Sequence, residues 1–275
     1  MTIEQNYLFQ IFDLIAPPEL AEPWDNVGPQ IIPEGQNRKI NKILLCLDCY
    51  EPVIQEALKI GAELILSHHP LIFSPLSRLI YNQYPCNLIN NIICSGMSLF
   101  VMHTNLDKAI GGINEHLASM VGLDDIFPLT LKTTDDSAIL DKGLGRIGNF
   151  SKPRKLKALC QEIKESLDLQ SIRFIGDPHM EVKRMAVCSG SGASLIQETF
   201  KKGAQALLTG DVKYHQAREA QGHKIALIDG GHFATERIIL PALKKRIKDM
   251  IFERGYGKDL EIYISATEED PFQEL

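Results

Sequence analysis

The chain has no apolar run approaching the ~18 residues that a membrane-spanning helix requires. It also lacks a basic surface signature: net charge is −6 at pH 7, and Lys and Arg are scattered. The one compact run of cations, Lys244-Lys245-Arg246-Ile247-Lys248, has the spacing of a solvated helix face. Neither a membrane nor a nucleic-acid partner is therefore expected. The first residues, Met1-Thr2-Ile3-Glu4-Gln5-Asn6, carry neither the basic start nor the apolar core of a signal peptide. Cysteine is sparse. There are six, and most lie in or beside apolar runs, as buried free thiols do. Cys46 and Cys49 have CxxC spacing, but no second pair completes a structural zinc site. A reducing, cytoplasmic compartment is expected. A phosphate loop is missing too. Gly143-Leu144-Gly145-Arg146-Ile147-Gly148 has spaced glycines, yet Pro153 prevents a helix from following directly, so a β-hairpin or bulge is expected. Tryptophan occurs once, as Trp24 in a Pro- and Gly-rich loop, where it serves as a packing anchor or as the wall of a cleft.

What remains reads as an α/β protein. The spacing predicts a helix over 3–15, ended by Pro17-Pro18, and a buried strand over 40–47. A helix over 52–60 follows, with Gly61 as its C-cap signal, and then a strand ending at Leu66. Residues 86–95 are predicted helical, and Leu99 to Met102 a further buried strand. Gly111-Gly112 opens a helix running to Met120. Thr133 to Asp136 is expected to turn, and 154–167 to form a helix.

The second half repeats the first. Ile40–His69 aligns without gaps to Val182–Asp211 at an offset of 142, with eight of thirty positions identical, among them Cys46/Cys188, Gly61/Gly203 and Leu66/Leu208. The expected architecture is two pseudo-repeated α/β lobes with mixed sheets facing a central metal cleft. Lobe one is placed at 1–125, a connecting segment at 126–150, and lobe two at 151–275.

Four strand ends carry the chemistry. Adjacent strand residues point to opposite faces, so His68 and His69 can serve one object only where the strand has stopped, and Pro70 stops it. Asp107 follows the next strand. In lobe two the corresponding positions hold Gly210 and Asp211, with His215 four residues on. His232 and Glu236, four apart at a predicted helix start, share a face. Histidine with carboxylate and no thiolate suits Zn, Mn or Fe in a catalytic site. His68, His69, Asp107, His232 and Glu236 are too many for one tetrahedral ion and fit two ions. His103 and His215 are candidate proton carriers or orienting groups, His103 equally a core histidine; Asp211 is a cap or an orienting carboxylate. His116, His179 and His223 are expected at the surface.

The ordered set Trp24-Asp25-Asn26-Val27-Gly28, Ser67-His68-His69-Pro70, His103-Thr104-Asn105-Leu106-Asp107, Gly143-Leu144-Gly145-Arg146, Thr209-Gly210-Asp211 and Gly230-Gly231-His232 with Glu236 resembles the Nif-three-like family, whose members are often labelled GTP cyclohydrolase I type 2 homologues. The resemblance covers nearly the whole chain. It implies a two-lobed α/β fold, a homohexameric ring, and a dinuclear divalent-metal centre on the five residues above. Pro29 departs from the apolar residue expected after Gly28. Two functions follow: a metal-dependent hydrolase acting on a nucleotide or phosphoester, with phosphate held by metals and side chains such as Arg146, or a non-catalytic metal-binding, metal-delivery or regulatory protein.

Overall fold

The computed structural model describes residues 3–33, 38–132, 141–256 and 260–273; the turn expected at Thr133 to Asp136 lies outside them. From the amino end, β1 (Ile3–Glu4) leads into α1 (Gln5–Ile15). Next come β2 (Gly28–Ile31), β3 (Lys39–Ile40), β4 (Lys42–Cys46), α2 (Glu51–Ile60), β5 (Leu64–Ser67), α3 (Cys86–Cys94), β6 (Ser98–Val101), α4 (Thr104–Lys108) and α5 (Ile113–Met120). The chain continues through β7 (Asp124–Pro128), β8 (Leu131–Lys132), β9 (Asp141–Lys142), β10 (Arg146–Lys155), α6 (Leu156–Ser166), β11 (Arg173–Ile175) and β12 (Glu181–Val187). It closes with α7 (Ile196–Lys201), β13 (Ala206–Thr209), α8 (Tyr214–Gly222), β14 (Ala226–Asp229), α9 (His232–Arg237), α10 (Ile239–Glu253) and β15 (Glu261–Ile264). No described helix is long and apolar enough to cross a membrane.

Two compact units divide the chain. The first comprises Met1–Leu106 and Leu240–Glu269, the second Asp107–Ile239 and Asp270–Leu275. In the first, a five-stranded sheet runs β15-β4-β5-β6-β2. Its three central strands are parallel and buried throughout apart from Lys42, which is why they read as continuous apolar runs. In the second, a six-stranded sheet runs β11-β14-β13-β12-β10-β7 around a parallel β12-β13-β14 centre.

The repeat is visible in the register. Ile43 pairs with Leu64 and Leu45 with Leu66; 142 residues later, Met185 pairs with Ala206 and Val187 with Leu208. It also extends beyond what the sequence shows. Edge strand β2 lies antiparallel to β6, as β11 does to β14. Ile3 pairs with Ile40 as Arg154 pairs with Val182. The first residue of α1 donates from its backbone to Arg38 O at 2.8 Å, and the first of α6 to Met180 O at 3.0 Å. Gly61 and Gly203, equivalent residues, both take left-handed φ values, +68° and +71°, which glycine adopts without a Cβ clash.

The boundaries differ from the sequence expectation at both junctions. β15 pairs in parallel with β4, Ile262 opposite Ile43, so the C-terminal segment completes the first unit rather than the second. Conversely α5 belongs to the second unit, where Leu117 and Ala118 pack with Phe150, Leu159 and Val182. Neither partner is encoded in the local pattern of the segment. Gly143–Gly148 does form the expected irregular β-structure: β10 pairs with β7 through a register shift between Ile147 and Asn149. Pro29 is accommodated on edge strand β2, next to a register shift, the kind of place to which strand prolines are confined.

Candidate functional site

In the first unit β5 ends at Ser67 and the chain turns at once. The backbone amides of His68 and His69 donate to Cys46 O and Leu47 O, at 3.1 and 2.8 Å. Ser67 Oγ donates to His69 O at 2.9 Å. This turn brings the two adjacent rings onto one object, with centroids 4.9 Å apart. A third ring joins them. His103, between β6 and α4, lies 5.1 Å from His68 and 5.6 Å from His69, ring centre to ring centre. One ligand nitrogen from each of the three lies within 4.8 Å of the others, a spacing that can hold a metal ion.

All three imidazoles are oriented the same way. His68 Nδ1 faces Met102 O at 2.7 Å, His69 Nδ1 faces Asp48 Oδ1 at 2.9 Å, and His103 Nδ1 faces Asp25 Oδ1 at 2.8 Å. A carbonyl or ionised carboxylate only accepts, so each Nδ1–H is the donor of its bond, and the ring is held in one orientation. His103 is further fixed through its backbone N–H, which donates to Asn105 Oδ1 at 2.9 Å; Asn105 in turn donates to Ala16 O at 2.7 Å.

Asp25 is buried. Burial alone would raise its pKa, but hydrogen bonds from the His103 ring and the Thr104 hydroxyl, the charge of His103 and the Thr104 amide hold it down at about 2. Beside it Trp24 is 58% exposed, edge-on to His103 at 6.2 Å and 5.9 Å from Phe73. An exposed ring is not a packing anchor; Trp24 is a wall beside the three histidines.

The second unit holds the other expected residues. His232 and Glu236 open α9, with His232 Nε2 3.2 Å from Glu236 Oε2. His232 Nδ1 faces Asp211 Oδ2 at 2.7 Å, so this imidazole too is oriented by an acceptor. Asp211 takes a left-handed φ of +54°, which Asp tolerates. Glu236 is buried. Asp107 is half-buried, and its carboxylate and that of Glu236 both act on the Cys188 thiol, which burial first and these charges second push well above its usual range. Asp107 and Glu236 thus act on one thiol. Gly190, with φ +57°, makes room beside them: a Cβ there would stand 2.1 Å from Glu236 Oε1 and 3.1 Å from His232 Nε2.

Two expectations are corrected here. Arg146 is not available to hold phosphate. It is fully buried, and it donates to Gly143 O, Gly145 O, Lys108 O, Ala109 O and Glu115 Oε1 at 2.8 to 3.3 Å. His116 and His223 are half-buried rather than exposed, and the His223 ring lies tilted against Phe200, ring centres 4.8 Å apart. His179 is exposed, as expected. His215 is exposed on α8 against the Tyr214 ring; among the described residues no hydrogen bond ties it to His232 or Glu236. Sequence reasoning assigned no role to Asp48, Asp25 or Gly190. The Ser189-Gly190-Ser191-Gly192 run after a buried strand was the available signal for Gly190.

Residues 3–271 match the model of the family described as Duf34/NIF3 (NGG1p interacting factor 3). The chain belongs to the Duf34/NIF3 family. Among its relatives in that family are proteins named GTP cyclohydrolase 1 type 2 homolog. The one from Clostridium acetobutylicum is 30% identical over 273 residues, covering 99% of both chains. The one from Clostridium perfringens is 32% identical over 268 residues, covering 98% of both. The solved structure of the Staphylococcus aureus protein SA1388 superposes with a TM-score of 0.91 at 28% identity, covering 100% of both chains. The mixed α/β fold is thus the Duf34/NIF3 fold, and it carries a His/Glu group able to bind a metal ion.

Proposed function

We propose that the chain binds two divalent ions, Zn, Mn or Fe, and uses them to hydrolyse a nucleotide or phosphoester. One observation carries this reading: His68, His69 and His232 each have Nδ1 against an acceptor oxygen. That is how proteins prepare imidazoles as metal ligands, fixing the tautomer and raising the basicity of Nε2. The proposed ligands are His68 and His69 in the first unit and Asp107, His232 and Glu236 in the second. His103 is assigned the proton, because Asp25 orients its ring beside the rings of His68 and His69. Trp24 would border the bound substrate. Divalent ions supply Lewis-acid polarisation of a phosphoryl or carbonyl oxygen and acidify water.

The names of the relatives support a GTP cyclohydrolase type of reaction as one version of this activity, and a homohexameric ring is proposed as the working assembly. The test loads the protein with Zn, Mn, Fe or Co in turn and screens nucleotides and phosphoesters, GTP included. Turnover that collapses in His103→Ala while metal content holds supports the hydrolase. Retained metal with no turnover of any substrate would instead make the chain a metal-binding or metal-delivering protein.

A further inference from the structure

His69 is held at two points by the two residues that follow β4. Its backbone N–H donates to Leu47 O at 2.8 Å, and its Nδ1–H donates to Asp48 Oδ1 at 2.9 Å. What fixes Leu47 and Asp48 comes from the far end of the chain. The Glu268 carboxylate accepts from Leu47 N at 2.8 and 3.0 Å and from Asp48 N at 2.6 Å. Glu268 is buried, only 3% exposed. A buried carboxylate is costly unless donors meet it, and hydrogen bonds to its ionised form are about twice as strong as neutral ones. The peptide carrying Asp48 is therefore pinned firmly.

The segment that delivers Glu268 is itself tied down. Glu56 on α2 accepts from Ser265 Oγ at 2.7 Å, Ala266 N at 3.0 Å and Thr267 Oγ1 at 3.0 Å, and Tyr50 Oη donates to Thr267 O at 3.0 Å. The second repeat shows that a charge is not needed merely to satisfy these two amides. The equivalents of Leu47 and Asp48 are Ser189 and Gly190. Their amides donate to the neutral oxygens Asn114 Oδ1 at 2.8 Å and Thr235 Oγ1 at 3.0 Å. A carboxylate is used only in the unit where the second residue goes on to orient an imidazole.

We propose that Glu268 is a positioning residue for His69: by pinning Leu47 and Asp48 it sets the orientation of the His69 ring, so the C-terminal segment is part of the metal-binding apparatus. The proposal rests on the metal-binding reading above for its consequence, but not for its geometry.

The test uses the full chain with Glu268→Gln, which keeps the shape and removes the charge, beside Glu56→Gln, which loosens the segment without touching the Leu47 and Asp48 amides. The first readout needs no metal. In protein labelled with 15N-histidine, the slowly exchanging Nδ1 proton of His69, assigned by its absence in His69→Gln, should be seen in the wild type and broadened or lost in Glu268→Gln. The second is Co2+ alone: affinity should fall about 10-fold or more, with a changed visible spectrum. Glu56→Gln should move both less. An unchanged His69 proton would overturn the proposal, even if thermal stability falls, since that marks a staple and nothing more. If Glu268→Gln does not fold, Glu268→Asp is read by the same criteria. Should the wild type bind no Co2+ while the His69 proton still depends on Glu268, the metal reading fails and the positioning role stands.

Discussion

His103 Nδ1 donates to Asp25 Oδ1 at 2.8 Å, and the same carboxylate accepts from the amides of Asn26 and Thr104. The loop carrying Trp24 and Asp25 is thereby built into the three-histidine group. Asp25→Asn leaves the shape but replaces a pure acceptor by an amide, so the His103 tautomer is no longer enforced. The variant is expected to fold, to retain metal, and to lose turnover by at least ~10²-fold if His103 moves the proton. Steady-state kinetics beside metal analysis separates the two effects.

Gly190→Ala places a methyl group where Glu236 Oε1 and His232 Nε2 stand, at a residue whose φ is +57°. Backbone strain alone at such a residue costs on the order of 1–3 kcal/mol, and Glu236 must shift as well. Urea unfolding should show a loss in that range, with weaker metal binding. A variant as stable as wild type would mean that the loop relaxes freely.

Arg146 is expected to be structural. Arg146→Lys cannot reproduce five donor contacts from a planar fork, and it leaves buried carbonyls unmet. A loss of about 1–3 kcal/mol in unfolding free energy is expected, as for leaving a buried acceptor without its donor. Activity per folded molecule on a phosphorylated substrate should change little.

Much of this was legible in the sequence, for definable reasons. The offset of 142 predicted a register that Ile43–Leu64 and Met185–Ala206 display, because buried parallel strands leave a continuous apolar signature. His68-His69 before Pro70 implied a strand end, which the structure shows. The illegible parts were long-range. Glu268 lies 220 residues from Asp48, and nothing local marks it as buried. β15 joins β4 across most of the chain. Arg146 was misread because a charged residue in a glycine-rich segment looks like surface, and only the fold shows five acceptors around it.

The Glu56 anchor gives the C-terminal segment an acid limit. Burial opposes ionisation of Glu56, but hydrogen bonds from Ser265, Ala266 and Thr267 outweigh it and lower its pKa below the ordinary 4.5. A depressed carboxylate stabilises the fold above its unfolded value and loses that contribution as pH falls through the lower, folded value. Amide exchange at Ala266 and Thr267, corrected for intrinsic rates, should therefore be protected near pH 6 and accelerate below about 4.5. In Glu56→Gln the pH dependence should vanish.

The thiols offer a check on burial. All six cysteines are free; Cys94 is exposed and the other five buried. Burial pushes Cys49 and Cys160 up to about 12, with Asp48 and Glu268 adding to the rise at Cys49. Only thiolate reacts rapidly. Native protein treated with iodoacetamide near pH 8 should be labelled at Cys94, and Cys94→Ser should leave it almost unlabelled.

The central claim is that the histidines and carboxylates placed at these strand ends are metal ligands. Elemental analysis after anaerobic reconstitution tests it most directly. About two divalent ions per chain in the wild type, falling when His68 and His69 are both replaced by Ala, is the predicted result. Fewer than about one ion per wild-type chain, or a content unaffected by that double substitution, would contradict it.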